Sequence, residues 1–182
     1  GELNDLSLLR LRTAVPSGRA EPVPFATAGD VDEYPAGHGA RIAGWGSTAV
    51  EPPFAYPTTM QAAETTVRPD GECDEAWSGP ELDDATTQCA GFGGGTGICN
   101  LDEGGPLLVE DGAGDPLLVG VASFGPEVCG AELPDVFTEL AGYERFIEAH
   151  VADTTTPTFT DVRFGHPFLT EIWSLKQDEI IG

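Results

Sequence analysis

Two apolar runs, Pro106–Val109 and Leu117–Phe124, face each other across the loop Asp111-Gly112-Ala113-Gly114-Asp115. No other feature restricts the fold so strongly. Apolar runs of this length bounded by turn residues read as strands, and a short loop containing glycine joins them as an antiparallel hairpin. Directly upstream lies Cys99-Asn100-Leu101-Asp102-Glu103-Gly104-Gly105-Pro106. A cysteine, two adjacent acids and a Gly-Gly-Pro turn are thereby attached to the entry of a core strand. At 182 residues the chain can bury a substantial core around that hairpin, as one domain with an appendage.

The flanking segments are less regular. Leu3 to Leu11 alternates loosely, is rich in leucine and reads as a strand. Val15 to Gly39, rich in Pro, Gly, Ala and Asp, reads as an irregular connection. Gly71 to Ala90 reads as a short helix and turn. Phe92 to Gly97 is glycine-rich, but no Gly-Lys-Ser/Thr follows, which removes the phosphate-loop reading. Tyr143, Phe146, Ile147 and His150 recur on one helical face. Asp153 to Thr158 is a polar Thr/Pro linker.

The charge balance restricts partners. The formal net charge is −23, and Lys176 is the one lysine. Nucleic acid and anionic membrane surfaces both require a basic face, so neither is an expected partner. The acidity reads first as a solubility adaptation, and second as a field that attracts cationic substrates. No apolar run approaches the ~20 residues of a membrane-spanning helix. The chain begins at Gly1 without a visible signal peptide and reads as a fragment with an upstream part missing. The four cysteines, Cys73, Cys89, Cys99 and Cys129, allow three pairings, and the sequence alone does not choose among them. His38, His150 and His166 are isolated and no Cys/His spacing suits zinc, so neither metal nor cofactor is expected.

The Cys99–Pro106 stretch resembles the Cys-x-Gly-Asp-Ser-Gly-Gly-Pro loop of the trypsin-like (chymotrypsin-fold, S1) serine endopeptidases. Other segments carry the same resemblance. Asn4-Asp5-Leu6-Ser7-Leu8-Leu9 resembles Asn-Asp-Ile-Ala-Leu-Leu. Ile42-Ala43-Gly44-Trp45-Gly46 resembles Val-x-Gly-Trp-Gly, and Met60 to Val67, marked by Gln61, resembles the strand after it. Val119 to Gly125 resembles Gly-Val-x-Ser-Trp-Gly, and Pro134 to Thr138 resembles Pro-Gly-Val-Tyr-Thr. The resemblance spans roughly Asn4 to Val151. It implies an all-β fold: the second six-stranded antiparallel barrel of the family, followed by a C-terminal helix, with the first barrel mostly missing from residues 1–151.

The resemblance also implies roles. Asp5 takes the place of the triad aspartate, and Glu103 stands where the family has its nucleophilic serine. Leu101 and Glu103 take the oxyanion-hole positions, Leu101 where the family has glycine. A carboxylate is a poor nucleophile toward amides and sets negative charge where an oxyanion would develop. The catalytic histidine of the family lies before this chain begins. The expected function is therefore a secreted member of the endopeptidase family, proteolytically inactive as written. An active protease is the alternative if residue 103 is a sequence error and the missing lobe is present, and a non-enzymatic peptide-binding module is the second. Asp102 matches the residue that pairs with the amine freed on zymogen cleavage. The specificity pocket would be lined by Gly97, Ser123, Phe124, Gly125 and Asp135. Gly97 with Asp135 is similar to crustacean collagenolytic relatives, whose pocket carboxylate comes from the opposite wall, and implies a taste for basic or mixed side chains. The resemblance implies disulfides Cys73–Cys89 and Cys99–Cys129, hence an oxidising, extracytoplasmic compartment.

Beyond the linker, Phe159-Thr160-Asp161-Val162 and His166-Pro167-Phe168-Leu169-Thr170-Glu171-Ile172-Trp173 resemble the start of a surface-layer homology (SLH) repeat over residues 159–182. That resemblance implies a helical tail, a bacterial cell-wall polymer as partner, and a place at the cell surface.

Overall fold

Residues 4–69, 71–77, 82–91 and 94–152 are described by the computed structural model. Its centre is the expected hairpin. Strands β4 (Pro106–Glu110) and β5 (Pro116–Phe124) pair antiparallel across the turn at 111–115. Leu107 and Val109 from β4 and Leu117, Val119 and Ala122 from β5 point into one core. The inward set on β5 changes parity after Val119 because the register slips between Leu107 and Leu108, the signature of a bulge. The slip turns Ala122 inward and fixes the side on which Ser123 emerges.

Four more strands complete the sheet: β1 (Gly39–Gly44), β2 (Gln61–Thr66), β3 (Thr87–Ala90) and β6 (Asp135–Glu139). All pairings are antiparallel, in the order β2-β1-β4-β5-β6-β3. An antiparallel bridge between Val67 and Ala90 joins the two outer strands, so the sheet curls back on itself. Arg68 N–H donates to Cys89 O, and Gly91 N–H to Thr66 O, both at 2.9 Å, along the same seam. Closure removes the unpaired edges that an open six-stranded sheet would present. The fold class expected from the resemblance is thus observed.

Phe137 fills the barrel centre, with Ile42, Val67 and Leu107 in the same cluster. A smaller cluster outside β6 contains Cys73, Leu82, Cys89 and Val136, with Trp77 and Phe124 packed against it. Trp77 and Phe124 meet edge to face at 5.0 Å, and the Trp77 indole N–H donates to Pro134 O at 3.1 Å. Helix α1 (Glu72–Ala76) is held to β3 by Cys73–Cys89, and Cys99–Cys129 ties the loop before β4 to the loop before β6. Both pairings are those implied by the resemblance. Helix α2 (Glu144–Ala152) follows a 3-10 turn at Ala141–Tyr143. Within it His150 Nδ1 lies 2.6 Å from Phe146 O, and the His150 ring rests on that of Phe146.

One expected element is absent. Residues 4–11 form no strand, and Leu9 is 86% exposed. A strand holds only where its N–H and C=O groups join a ladder. Here the contacts are isolated: Asp5 O accepts the Thr138 hydroxyl at 2.8 Å, and no ladder forms. The linker and the SLH-like tail, 153–182, lie outside the described residues.

Candidate active site

The site collects at one end of the barrel, where β1 and β5 end and β6 begins. The loop from Cys99 to Gly105 is fastened there at both ends. Gly104 N–H donates to Ala122 O and Ala122 N–H to Gly105 O, each at 2.8 Å. Asp102 N–H donates to Cys99 O at 2.8 Å, and Gly105 N–H to Asp102 O at 2.9 Å. The Asp102 carboxylate turns inward. Its Oδ1 accepts Gly46 N–H at 2.7 Å and its Oδ2 accepts Cys99 N–H at 3.0 Å. A Cβ on either Gly44 or Gly46 would overlap that carboxylate. The Gly-Trp-Gly sequence is therefore a steric requirement of Asp102. A cleft of about 230 Å³ opens beside it, bordered by Gly44, Gly46, Gly97, Ile98 and Gln61.

Leu101 and Glu103 flank Asp102. Leu101 has φ +73° and is 66% exposed. The left-handed conformation costs a residue with a Cβ about 1–2 kcal/mol, so the loop holds a geometry suited to glycine with a leucine in it. Glu103 is exposed, its side chain turned to solvent. Neither the Leu101 nor the Glu103 N–H donates a hydrogen bond among the described residues.

Asp5 reaches the same end of the barrel. The Ser123 hydroxyl donates to Asp5 Oδ2 at 2.8 Å, across 118 residues of sequence. The Asn4 side-chain oxygen accepts the Tyr143 hydroxyl at 2.8 Å. With the Thr138 contact, three side chains of the barrel and its following turn fix this otherwise exposed segment. The resemblance makes Ser123 a pocket wall; its bond to Asp5 is an additional role, for which the Gly-Val-x-Ser pattern is the signal. His38, in the connection before β1, makes no hydrogen bond to Asp5 among the described residues.

Asp135, the first residue of β6, is 3% exposed. Its carboxylate lies between two glycines: Cβ atoms built on Gly97 and Gly125 would stand 2.6 and 2.9 Å from its oxygens. Ile98 N–H donates to Oδ2 at 3.0 Å. Burial raises the carboxyl to about 7; the Ile98 N–H opposes this and the Asp102 charge adds to it. Gly97, Gly125 and Asp135 thus lie together. Phe124 instead sends its ring outward to Trp77, so it contributes backbone alone to this region. No group of three metal-ligating side chains exists among the described residues.

A closed six-stranded barrel, an inward aspartate on a Cys-tethered Gly-Gly-Pro loop, and an Asp–Ser pair across the barrel end describe one architecture. The trypsin family model matches residues 1–147. The chain belongs to the trypsin family. Among curated relatives, it is 37% identical over 157 residues to melanization protease 1 of Drosophila melanogaster, covering 82% of this chain and 38% of that protein. It is 34% identical over 147 residues to human kallikrein-8, covering 80% of this chain and 52% of the relative. A solved structure of neuropsin, a serine protease expressed in the limbic system of mouse brain, superposes with a TM-score of 0.65 at 28% identity, covering 78% of this chain and 59% of that one. The chain spans about half the length, or less, of the curated relatives it matches.

Proposed function

We propose that this chain is the second-barrel part of a secreted trypsin-family protein that binds peptides at its reaction centre without cleaving them. The observation that carries this reading is Glu103, an exposed carboxylate in the position of the nucleophilic serine, on a loop whose other supports are intact. A carboxylate there is a poor nucleophile toward amides, and it repels the oxyanion that the neighbouring N–H groups would otherwise stabilise. Loss of one triad member lowers rates by several orders of magnitude. Retention of Asp5, Ser123 and Asp102 supports a scaffold kept for recognition.

The recognition chemistry follows from Asp135. Once ionised, its carboxylate favours a lysine or arginine side chain that approaches it; when protonated, its carbonyl oxygen can still accept from a neutral donor. Both disulfides support secretion. No helix among the described residues is long and apolar enough to cross a membrane. Residues 159–182 would serve as the beginning of a cell-wall anchor, after a linker at 152–158 and a peptidase-like domain at 1–151. Asp102 would receive a freed N-terminal amine if an upstream segment supplies one.

The test is a fluorophosphonate probe with a peptide-binding assay on the full-length protein and its Glu103→Ser variant. Binding without labelling is expected of the unaltered protein. Labelling that appears only in the variant would locate the block at residue 103. Labelling and hydrolysis by the unaltered protein would overturn the reading and make it an active endopeptidase.

A further inference from the structure

A second cavity, of about 610 Å³, lies at the β3–β6 side of the barrel and shares no lining residue with the cleft beside Asp102. Its size falls within the range of small-ligand sites. Tyr34, Arg68, Asp84, Gln88 and Glu139 supply its polar lining. Side chains alternate along β6, so Glu139 shares a face with Phe137 and Asp135, two and four residues away. Gln88 stands opposite Phe137 in the β3–β6 ladder and joins that face. Both polar side chains therefore point toward the barrel interior, a place normally held by apolar groups.

Gln88 shows what this cavity lacks. It is 5% exposed. Its amide nitrogen donates to Cys89 O at 2.9 Å and to Arg68 O at 3.2 Å, which fixes the amide orientation. Its Oε1 accepts no hydrogen bond among the described residues. Buried amide oxygens ordinarily have donors. Beside it the buried Glu139 carboxylate accepts the Tyr34 hydroxyl at 3.0 Å. Asp84 adds a second carboxylate to the lining. Arg68, in the same lining, is ion-paired to Glu72 at 2.7 Å.

We propose that this cavity binds a guanidinium group, with Gln88 Oε1 and the Glu139 carboxylate as its acceptors. A guanidinium carries five N–H donors on one plane and can serve an amide oxygen and a carboxylate from different edges. An ammonium is more strongly hydrated and lacks that planar fork. The site is independent of whether residue 103 can act as a nucleophile. Its ligand is a free small guanidinium compound or an arginine carried by a peptide.

The test is titration of the ¹⁵N-labelled full chain with N-acetyl-arginine amide. Saturable binding that shifts the Gln88 side-chain amide resonances is expected, counted at those resonances because Asp135 attracts cations at a separate place. The lysine analogue should bind about tenfold more weakly. Ala36→Trp, at an exposed lining position, fills the mouth without touching the interior and should weaken binding about tenfold or more. Gln88→Leu removes the acceptor and should do the same. Asp135→Asn should leave this affinity unchanged, which separates the site from the cation preference assigned to Asp135. Comparing ethylguanidinium with an arginine tripeptide assigns the source: equal binding indicates a free ligand, and tighter peptide binding a chain-borne arginine. Absence of saturation, or binding lost in Asp135→Asn but retained in Ala36→Trp, overturns the proposal.

Discussion

Replacing Asp135 by asparagine should make the protein more stable at alkaline pH, although it removes a buried residue's native chemistry. In water the carboxyl titrates near 3.8, and between Gly97 and Gly125 near 7. The folded value lies above the unfolded one, so the folded chain holds this proton more tightly. Between those pH values unfolding releases a proton, and rising pH favours the unfolded state. The native state is penalised progressively from about pH 4, and fully above about pH 7. The separation corresponds to at most about 4 kcal/mol, a large share of the ~5–15 kcal/mol that holds a domain together. Asparagine keeps an acceptor for Ile98 N–H and does not ionise. Denaturant unfolding of both proteins, disulfides intact, from pH 4 to 8.5 reads the effect. The difference in stability cancels the contributions of the other acids. It should be small at pH 4 and grow to about 2–4 kcal/mol in favour of asparagine by pH 8. A difference that does not change with pH would refute the claim that Asp135 ionises against burial.

Other outcomes follow from the loop at residues 99–105 and its supports. Leu101→Gly should raise stability by up to about 1 kcal/mol, the left-handed strain less the extra entropy of glycine, read from the denaturation midpoint. Gly46→Ala forces a Cβ into the Asp102 carboxylate and should cost about 2 kcal/mol or more in the same assay. Ser123→Ala removes the donor to Asp5 and should cost about 1 kcal/mol, with greater amide exchange in residues 4–8 as the local signature. Removing Cys99–Cys129, whose separation is 30 residues, should cost about 3–4 kcal/mol on loop-closure grounds.

Much of this molecule was legible because its signals are local. The apolar runs and the 111–115 loop specify β4 and β5, and Gly44-Trp45-Gly46 announces the place where Asp102 needs room. Glu103 and Leu101 stand out as substitutions within a recognisable motif, and Leu101 does carry the left-handed backbone that glycine would suit. The misses are long-range. Leucine content in residues 3–11 suggests a strand, but pairing requires a partner that no pattern within the segment can provide. The resemblance implies that Phe124 lines the pocket; its ring packs on Trp77, 47 positions earlier in the sequence, at a point where the β5–β6 register shifts. Gln88 lies in a four-residue strand and gives no motif. Its significance depends on its ladder partner Phe137 and on Glu139 two residues beyond, visible only once β3 and β6 are paired.

Residue 103 decides between peptide binding and peptide cleavage. Fluorophosphonate labelling of the full-length protein, with mass spectrometry of the peptide containing Asp102 and Gly104, tests that choice most directly. An unlabelled peptide bearing glutamate at 103 is expected, in a protein that still binds basic peptides. A labelled residue at that position, accompanied by peptide hydrolysis, would contradict that expectation.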